Sequence, residues 1–304
     1  MQVLRCRQPL FGVGEAEGRR RLGSPQGRSS RFVSLPTANK KGQGLATTAE
    51  VTIKDLLESG AHFGHQKHRW NPKMKRFIFE ERGGIYIIDL AKTIQQIRKA
   101  VEVVRDVVSK RKSILFVGTK KQAKNAVRES AENCGEFYVC ERWLGGMLTN
   151  LSTIRQSVKT LERIEKRIAT GGDGLTKKEL GLLTKDQIKL DRNLSGIRAM
   201  RKPPGLLIIV DPSREHIAVA EACKLGIPIM ALVDTNCDPD PIDYVIACND
   251  DALKSIKLIM QALTQAVIDK KNEMDVNVAT KKEASAEGVE EEAAVEEDVE
   301  EEKE

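Results

Sequence analysis

The chain has little of what catalysis or a membrane would require. None of its apolar runs approaches the roughly 20 residues of a membrane-spanning helix, which excludes a helical span. Aromatic residues make up only 4% of the 304 residues, so a core has to be built from Val, Ile, Leu and Ala, as in layered α/β proteins. The six cysteines, Cys6, Cys134, Cys140, Cys223, Cys237 and Cys248, form no C-x-x-C pair and have no zinc-finger spacing to histidine. Most of them read as small core residues in a reducing cytosol. Neither G-x-x-x-x-G-K-[ST] nor G-x-G-x-x-G occurs, so the two commonest phosphate-cradling loops are missing. No titratable pair has the spacing and setting of a nucleophile with its base. Neither a catalytic residue nor a metal or cofactor is expected.

Charge is abundant and unevenly placed. From Glu283 to Glu304 twelve acidic residues face one Lys, residues 1–44 hold nine basic residues against two acidic ones, and the body between is net +10. A basic body with an acidic tail suits a polyanion binder, and a merely solvated basic surface has the same composition. Residues 1–44, rich in Gly, Arg, Ser and Gln without periodicity, are expected to be disordered, as is the acidic tail over 272–304. The Arg excess suggests a transit peptide, but no amphipathic period supports one and Glu15 and Glu17 interrupt it. The recognisable pattern begins just after Leu45-Ala46-Thr47-Thr48, so the expected functional start is there, with Met1 an upstream start; a basic arm or a cleaved targeting peptide are the rivals.

Thr52 to Glu58 reads as a short capped helix in an N-terminal region over 45–84. Short apolar strands then alternate with helices. The strands are Ile85–Asp89, Ile114–Val117, Phe137–Cys140, Leu206–Val210, Ile229–Val233 and Tyr244–Ala247. The helices are Lys92–Lys110, Lys121–Asn133, Arg214–Leu225 and Asp250–Lys271. This predicts a flavodoxin-like, doubly wound parallel sheet of about five strands over 85–145 and 204–271. Residues 146–203 break the alternation: Leu151, Ile154, Val158, Leu161 and Ile168, then Leu183, Leu190, Leu194 and Ile197, make two narrow apolar seams around a GGDG turn at Gly171 to Gly174. An inserted antiparallel coiled-coil hairpin follows from that spacing.

Two stretches concentrate cations, a tryptophan and backbone-exposing Gly or Pro. One is GAHFGHQKHRWNPKMKRFIF, Gly60 to Phe79, with Lys67, Arg69, Lys73, Lys75 and Arg76 around Trp70. The other is RWLGGMLTN, with Arg142, Gly145, Gly146 and Asn150. Cations neutralise phosphates, planar rings stack on bases, and Gly admits close backbone approach, so both read as RNA-facing. Two readings stand for Trp70, a stacking platform or an anchor of the loop to the core. Gly145-Gly146 likewise serves either phosphate approach or a hinge into the hairpin, with Thr149 or Asn150 as its cap. On the hairpin, Arg155, Lys159, Arg163, Arg192, Arg198, Arg201 and Lys202 could line RNA, and some must pair with Glu162, Glu165 and Asp191. His62, His65 and His68 sit three apart, but Gly60, Gly64 and Pro72 argue against one helix presenting all three to a metal. Asp234, Asp238 and Asp240 follow a strand's end, where Asn236 and Pro239 favour a tight turn over catalysis. GTKK at Gly118 to Lys121 could attract phosphate at a helix N-terminus.

With IIDLAKT at Ile87 to Thr93, ILFVGTKKQA at Ile114 to Ala123 and GIPIMALVDTNCDPD at Gly226 to Asp240, the two stretches resemble the bacterial-type second protein of the small ribosomal subunit, from about Thr52 to about Lys271. The resemblance implies a structural, cytoplasmic, non-enzymatic protein that assembles late on the solvent side near the head–body junction. It also implies binding to small-subunit ribosomal RNA, docking of the large mRNA-binding protein of that subunit, and no membrane. Within it, HFGH helps shape the RNA-facing N-terminal region. The chain departs from the family in its first 44 residues, its longer acidic tail, and Ala247-Cys248 where a Pro-Gly pair is common. The alternatives are a phosphate- or nucleotide-binding enzyme on the same fold, and a free interaction module using its coiled coil.

Overall fold

In the computed structural model of the chain, the described residues are 51–170 and 176–276. The expectations for 1–44, for the GGDG turn and for the acidic run from Glu283 fall outside them. Five strands run parallel in one sheet: β4 (Ile114–Val117), β5 (Phe137–Val139), β6 (Leu206–Val210), β7 (Ile229–Val233) and β8 (Tyr244–Ala247). Their spatial order is β5-β4-β6-β7-β8. Counted along the chain this is 2-1-3-4-5, the flavodoxin-like order, with its switch point between β4 and β6. Every residue of β4, β6 and β7 is buried, which is why these runs are apolar throughout rather than alternating.

Strand periodicity splits the core in two. Ile114, Phe116, Leu206, Ile208, Met230 and Leu232 face a cluster shared with α1 (Ile53–Glu58), α2 (Leu90–Ser109), α3 (Lys121–Cys134) and the closing helix α7 (253–276). Leu115, Val117, Leu207, Ile209, Ala231 and Val233 face the other cluster. There they meet α6 (His216–Leu225), Met74 from the first basic stretch, and Trp143, Met147 and Leu148 from the second. Both stretches are therefore anchored over the same face of the sheet.

One expected strand lies elsewhere. Ile85–Ile88 (β3) is the centre of a separate antiparallel sheet, between β1 (Phe63–Gln66) and β2 (Ile78–Arg82). Gly83 and Gly84, at φ +60° and +76°, close the β2–β3 hairpin in the two-residue geometry that needs positive φ at both positions. Asp89 belongs to no strand: its carboxylate caps α2, accepting from Ala91 N at 3.0 Å. β1 and β2 were hidden because their residues are mostly exposed and polar, so they lack the apolar run that marks a strand.

The insertion forms two helices, α4 (Leu151–Ala169) and α5 (Lys177–Leu194), which pack on one another. Of the seam residues, Ile154, Val158, Leu161, Leu194 and Ile197 are buried, and Leu151, Ile168, Leu183 and Leu190 are partly buried. Ile197 itself sits in a short 3-10 turn, Ser195–Ile197, that returns the chain against β5. The closing helix runs to 276, past the expected end at Lys271.

Candidate nucleic-acid interface

The first basic stretch is held by backbone geometry, burial and ion pairs together. Asn71 caps the short helical segment Pro72–Phe77, its side chain accepting from Lys73 N at 3.0 Å, and Pro72 pre-sets the first turn. Asn71 N donates to Thr235 O at 2.8 Å, and Met74 is fully buried. Trp70 packs on Tyr86 of β3 with ring centroids 5.0 Å apart. That contact fits the anchoring reading of Trp70, and its partial exposure leaves the stacking reading open as well. Lys73 Nζ reaches Asp238 at 2.8 Å and Asp240 at 2.5 Å, and Lys67 reaches Glu81 at 2.8 Å. Arg69, Lys75 and Arg76 are exposed and have no carboxylate partner among the described residues. The Arg76 guanidinium lies 4.8 Å from the Phe77 ring centroid.

His65 fixes the start of this stretch to the sheet. Its Nδ1 is 2.9 Å from Asp234 Oδ2, and its backbone N donates to Thr235 Oγ1 at 2.8 Å. Gly64 makes the approach possible, because a Cβ there would lie 2.6 Å from Thr235 Cγ2. The hydrogen bond that the imidazole donates to Asp234 raises its pKa, against the opposing effect of burial. His62 and His68 do not join it: the groups that cluster with His65 are Asp250 and Asp251. A second set, Asp211, Cys237 and Asp250, shares the buried Asp250. Its carboxyl is pushed up to about 7, first by burial and then by the charges of Asp234 and Asp211. Lys120, from the GTKK turn, supplies the cation there, at 2.8 Å from Asp250 and 2.6 Å from Asp251. Its side chain is only 12% exposed, so this ammonium serves the interior instead of an outside phosphate. Asp234, Asp238 and Asp240 thus act as docking groups for the first stretch.

The second stretch is organised around one buried carboxylate. Glu221 of α6 accepts from Trp143 Nε1 at 3.1 Å and Gly146 N at 2.8 Å on one oxygen. On the other it accepts from Leu148 N and Thr149 N, both at 3.0 Å, and from Thr149 Oγ1 at 3.1 Å. Burial pushes its pKa up, but the donors from Thr149, Trp143, Leu148 and Gly146 together hold it below the usual carboxylate range. Gly146 sits at φ +85° and its N–H points inward, so it cannot also serve a phosphate. Gly145 has open space beside it, and Arg142 and Asn150 are exposed. Asn150 makes no side-chain bond to the helix backbone; its Oδ1 accepts from Ser152 and Thr153 hydroxyls at 3.1 and 2.9 Å.

On the hairpin, Arg155, Lys159, Arg201 and Lys202 are exposed without a carboxylate partner among the described residues. Arg198 pairs with Glu165, and Arg192 with Glu141 at 2.7 Å.

The family model for ribosomal protein S2 matches residues 56–270. The chain belongs to the ribosomal protein S2 family. It is 77% identical over 245 residues to the small ribosomal subunit protein uS2 of Protochlamydia amoebophila, covering 81% of this chain and 89% of that protein. It is 63% identical over 228 residues to the uS2 protein of Chlamydia trachomatis serovar D, covering 75% and 81%. These are structural ribosomal proteins, so the chain is a structural protein of the small ribosomal subunit and the enzyme alternative falls away. Its place is the ribosome, a cytoplasmic particle in bacteria, and none of the described helices is long and apolar enough to cross a membrane. Within this S2 domain the matched span takes in both basic stretches, the hairpin and Glu221. Glu221 carries no motif. Its one sequence signal is an acidic residue on the apolar stripe of α6, beside Ala218 and Ala222.

Proposed function

We propose that this S2 protein binds small-subunit ribosomal RNA through the outer surfaces of its two basic stretches and the hairpin, mainly by phosphate contact, and helps to dock the large mRNA-binding protein of that subunit. The observation that carries the RNA reading is a division of labour among the cations. Lys67, Lys73, Arg198 and Lys120 already face carboxylates, whereas Arg69, Lys75, Arg76, Arg142, Arg155, Lys159, Arg201 and Lys202 are exposed and face none among the described residues. An exposed unpaired cation releases counterions on meeting a phosphate without first breaking an ion pair. Met74 of the first stretch and Trp143, Met147 and Leu148 of the second are buried in one cluster, which supports a shared binding side. The docking role rests on the family resemblance. Phe79, 71% exposed on the three-stranded sheet, offers an apolar contact for a protein partner.

The test is the salt dependence of binding to small subunits stripped of this protein. Substituting Lys75→Ala with Arg76→Ala should weaken binding and reduce the slope of log affinity against log salt by about two units, one per lost phosphate contact. Reduced affinity at an unchanged slope would mean that this stretch acts through folding.

A further inference from the structure

Glu221 has an environment unlike that of any other acidic residue in the described fold. It is 8% exposed, and no ion pair to it occurs among the described residues. Five donors converge on its two oxygens, four of them N–H groups, and all come from the single segment Trp143–Thr149, more than 70 residues away in sequence. A carboxylate offers about four lone-pair sites, so its capacity is filled. Backbone N–H groups curled round an anion form the concave arrangement that elsewhere binds phosphate. Here the anion comes from the protein itself.

The consequence is a loop with two distinct sides. Trp143, Met147 and Leu148 are buried beneath it, while Arg142, Gly145, Thr149 and Asn150 lie on the solvent side. The same donors tie α6 to the residues immediately before α4, so the carboxylate also fixes the root of the hairpin. Building on the RNA-facing reading, we infer that Glu221 is a positioning residue: it preorders the Arg142–Asn150 loop from below, so that Arg142 and the open face at Gly145 meet ribosomal RNA without a folding cost at binding. Preordering of this kind strengthens binding without adding a contact.

The discriminating variant is Glu221→Gln. It keeps the shape, but its amide puts two N–H donors where an oxygen accepted, facing donors whichever way it is turned. Amide hydrogen exchange should quicken about tenfold or more at Gly146, Leu148 and Thr149, and stay unchanged at Ile208 and Ala231 in the central strands. Affinity for stripped small subunits should fall roughly tenfold, the equivalent of one or two well-made hydrogen bonds, with the salt slope unchanged because no phosphate contact is lost. Unchanged exchange in the loop, or equal quickening in loop and sheet, overturns the inference. So does a loosened loop with full affinity. Arg142→Ala separates that last result from failure of the RNA reading itself. If Arg142→Ala lowers affinity and slope, only the positioning role of Glu221 falls; if it changes neither, the loop does not face RNA.

Discussion

The two basic stretches rest on one apolar cluster but are held down by opposite electrostatic means. The first is tied by charge meeting charge: His65 to Asp234, and Lys73 to Asp238 and Asp240. The second is tied by neutral dipoles meeting one buried charge, Glu221. Exposed ion pairs are screened by salt and contribute little, whereas a buried carboxylate with a full set of donors is costly to disturb, because removing either side strands the other in low dielectric. The first stretch is therefore adjustable at Lys73, whereas its tie through His65 to the buried Asp234, like that of the second stretch to Glu221, lies in the interior. What they share is the apolar anchor, Met74 for one and Met147 for the other, each fully buried.

That shared anchor gives the largest expected effect. Met74→Ala and Met147→Ala should each destabilise the protein by about 2–5 kcal/mol, the loss of buried methylenes plus a cavity that closes only partly. Urea denaturation measures it. A loss below about 1 kcal/mol at either site would show that this stretch is not seated through the core, and the comparison would lose its common ground.

Acid and base should separate the two stretches next. The folded pKa of His65 is raised above its usual 6.5, so its contribution is complete below that pH and is lost as pH rises through the folded value. Asp250, raised to about 7, acts in the same direction, since the folded state holds its proton more tightly than the unfolded chain. Glu221 is held low, so its contribution is present above about 4.5 and is lost as pH falls through the folded value. Melting temperature should therefore decline from pH 6 to pH 8.5 less steeply in His65→Gln than in the parent, and the decline below pH 4.5 should be shallower in Glu221→Gln. Parallel pH profiles for parent and both variants would contradict the assignment of each stretch to its own carboxylate chemistry.

The sequence shows the sheet more readily than the site, and the reason is physical. β4, β6 and β7 are buried on both faces and read as unbroken apolar runs, Ile114–Val117, Leu206–Val210 and Ile229–Val233. The residues of β1 and β2 are mostly exposed, so FGHQ and IFEER look like loop; Gly83-Gly84 between two pairing segments is the available hairpin signal. The cations are legible one by one, but their pairing is not. Lys73 and Asp238 lie 165 residues apart, and Lys120 and Asp250 130 apart, so only the fold decides which cations are left facing solvent. Gly146 shows the same limit, since its inward N–H is explained by a glutamate 75 residues away.

The smallest expected effect tests that distinction between paired and unpaired cations most directly. Lys73 and Lys75 are two residues apart in one short helical segment, both exposed, and differ chiefly in that Asp238 and Asp240 hold Lys73. Both acids follow β7, so the pair also staples the stretch to the sheet, though over an exposed and screened contact. Lys75→Ala should reduce the log–log salt slope of binding to stripped small subunits by about 0.9, as one phosphate contact is lost. Lys73→Ala should leave the slope nearly unchanged, because its ammonium is already neutralised and its removal releases no counterion from RNA. Its melting curve should overlay the parent's at moderate salt. If Lys73→Ala instead reduced the slope as much as Lys75→Ala does, the ion pair would be giving way to phosphate on the ribosome, and carboxylate pairing in the free protein would no longer mark which cations face RNA.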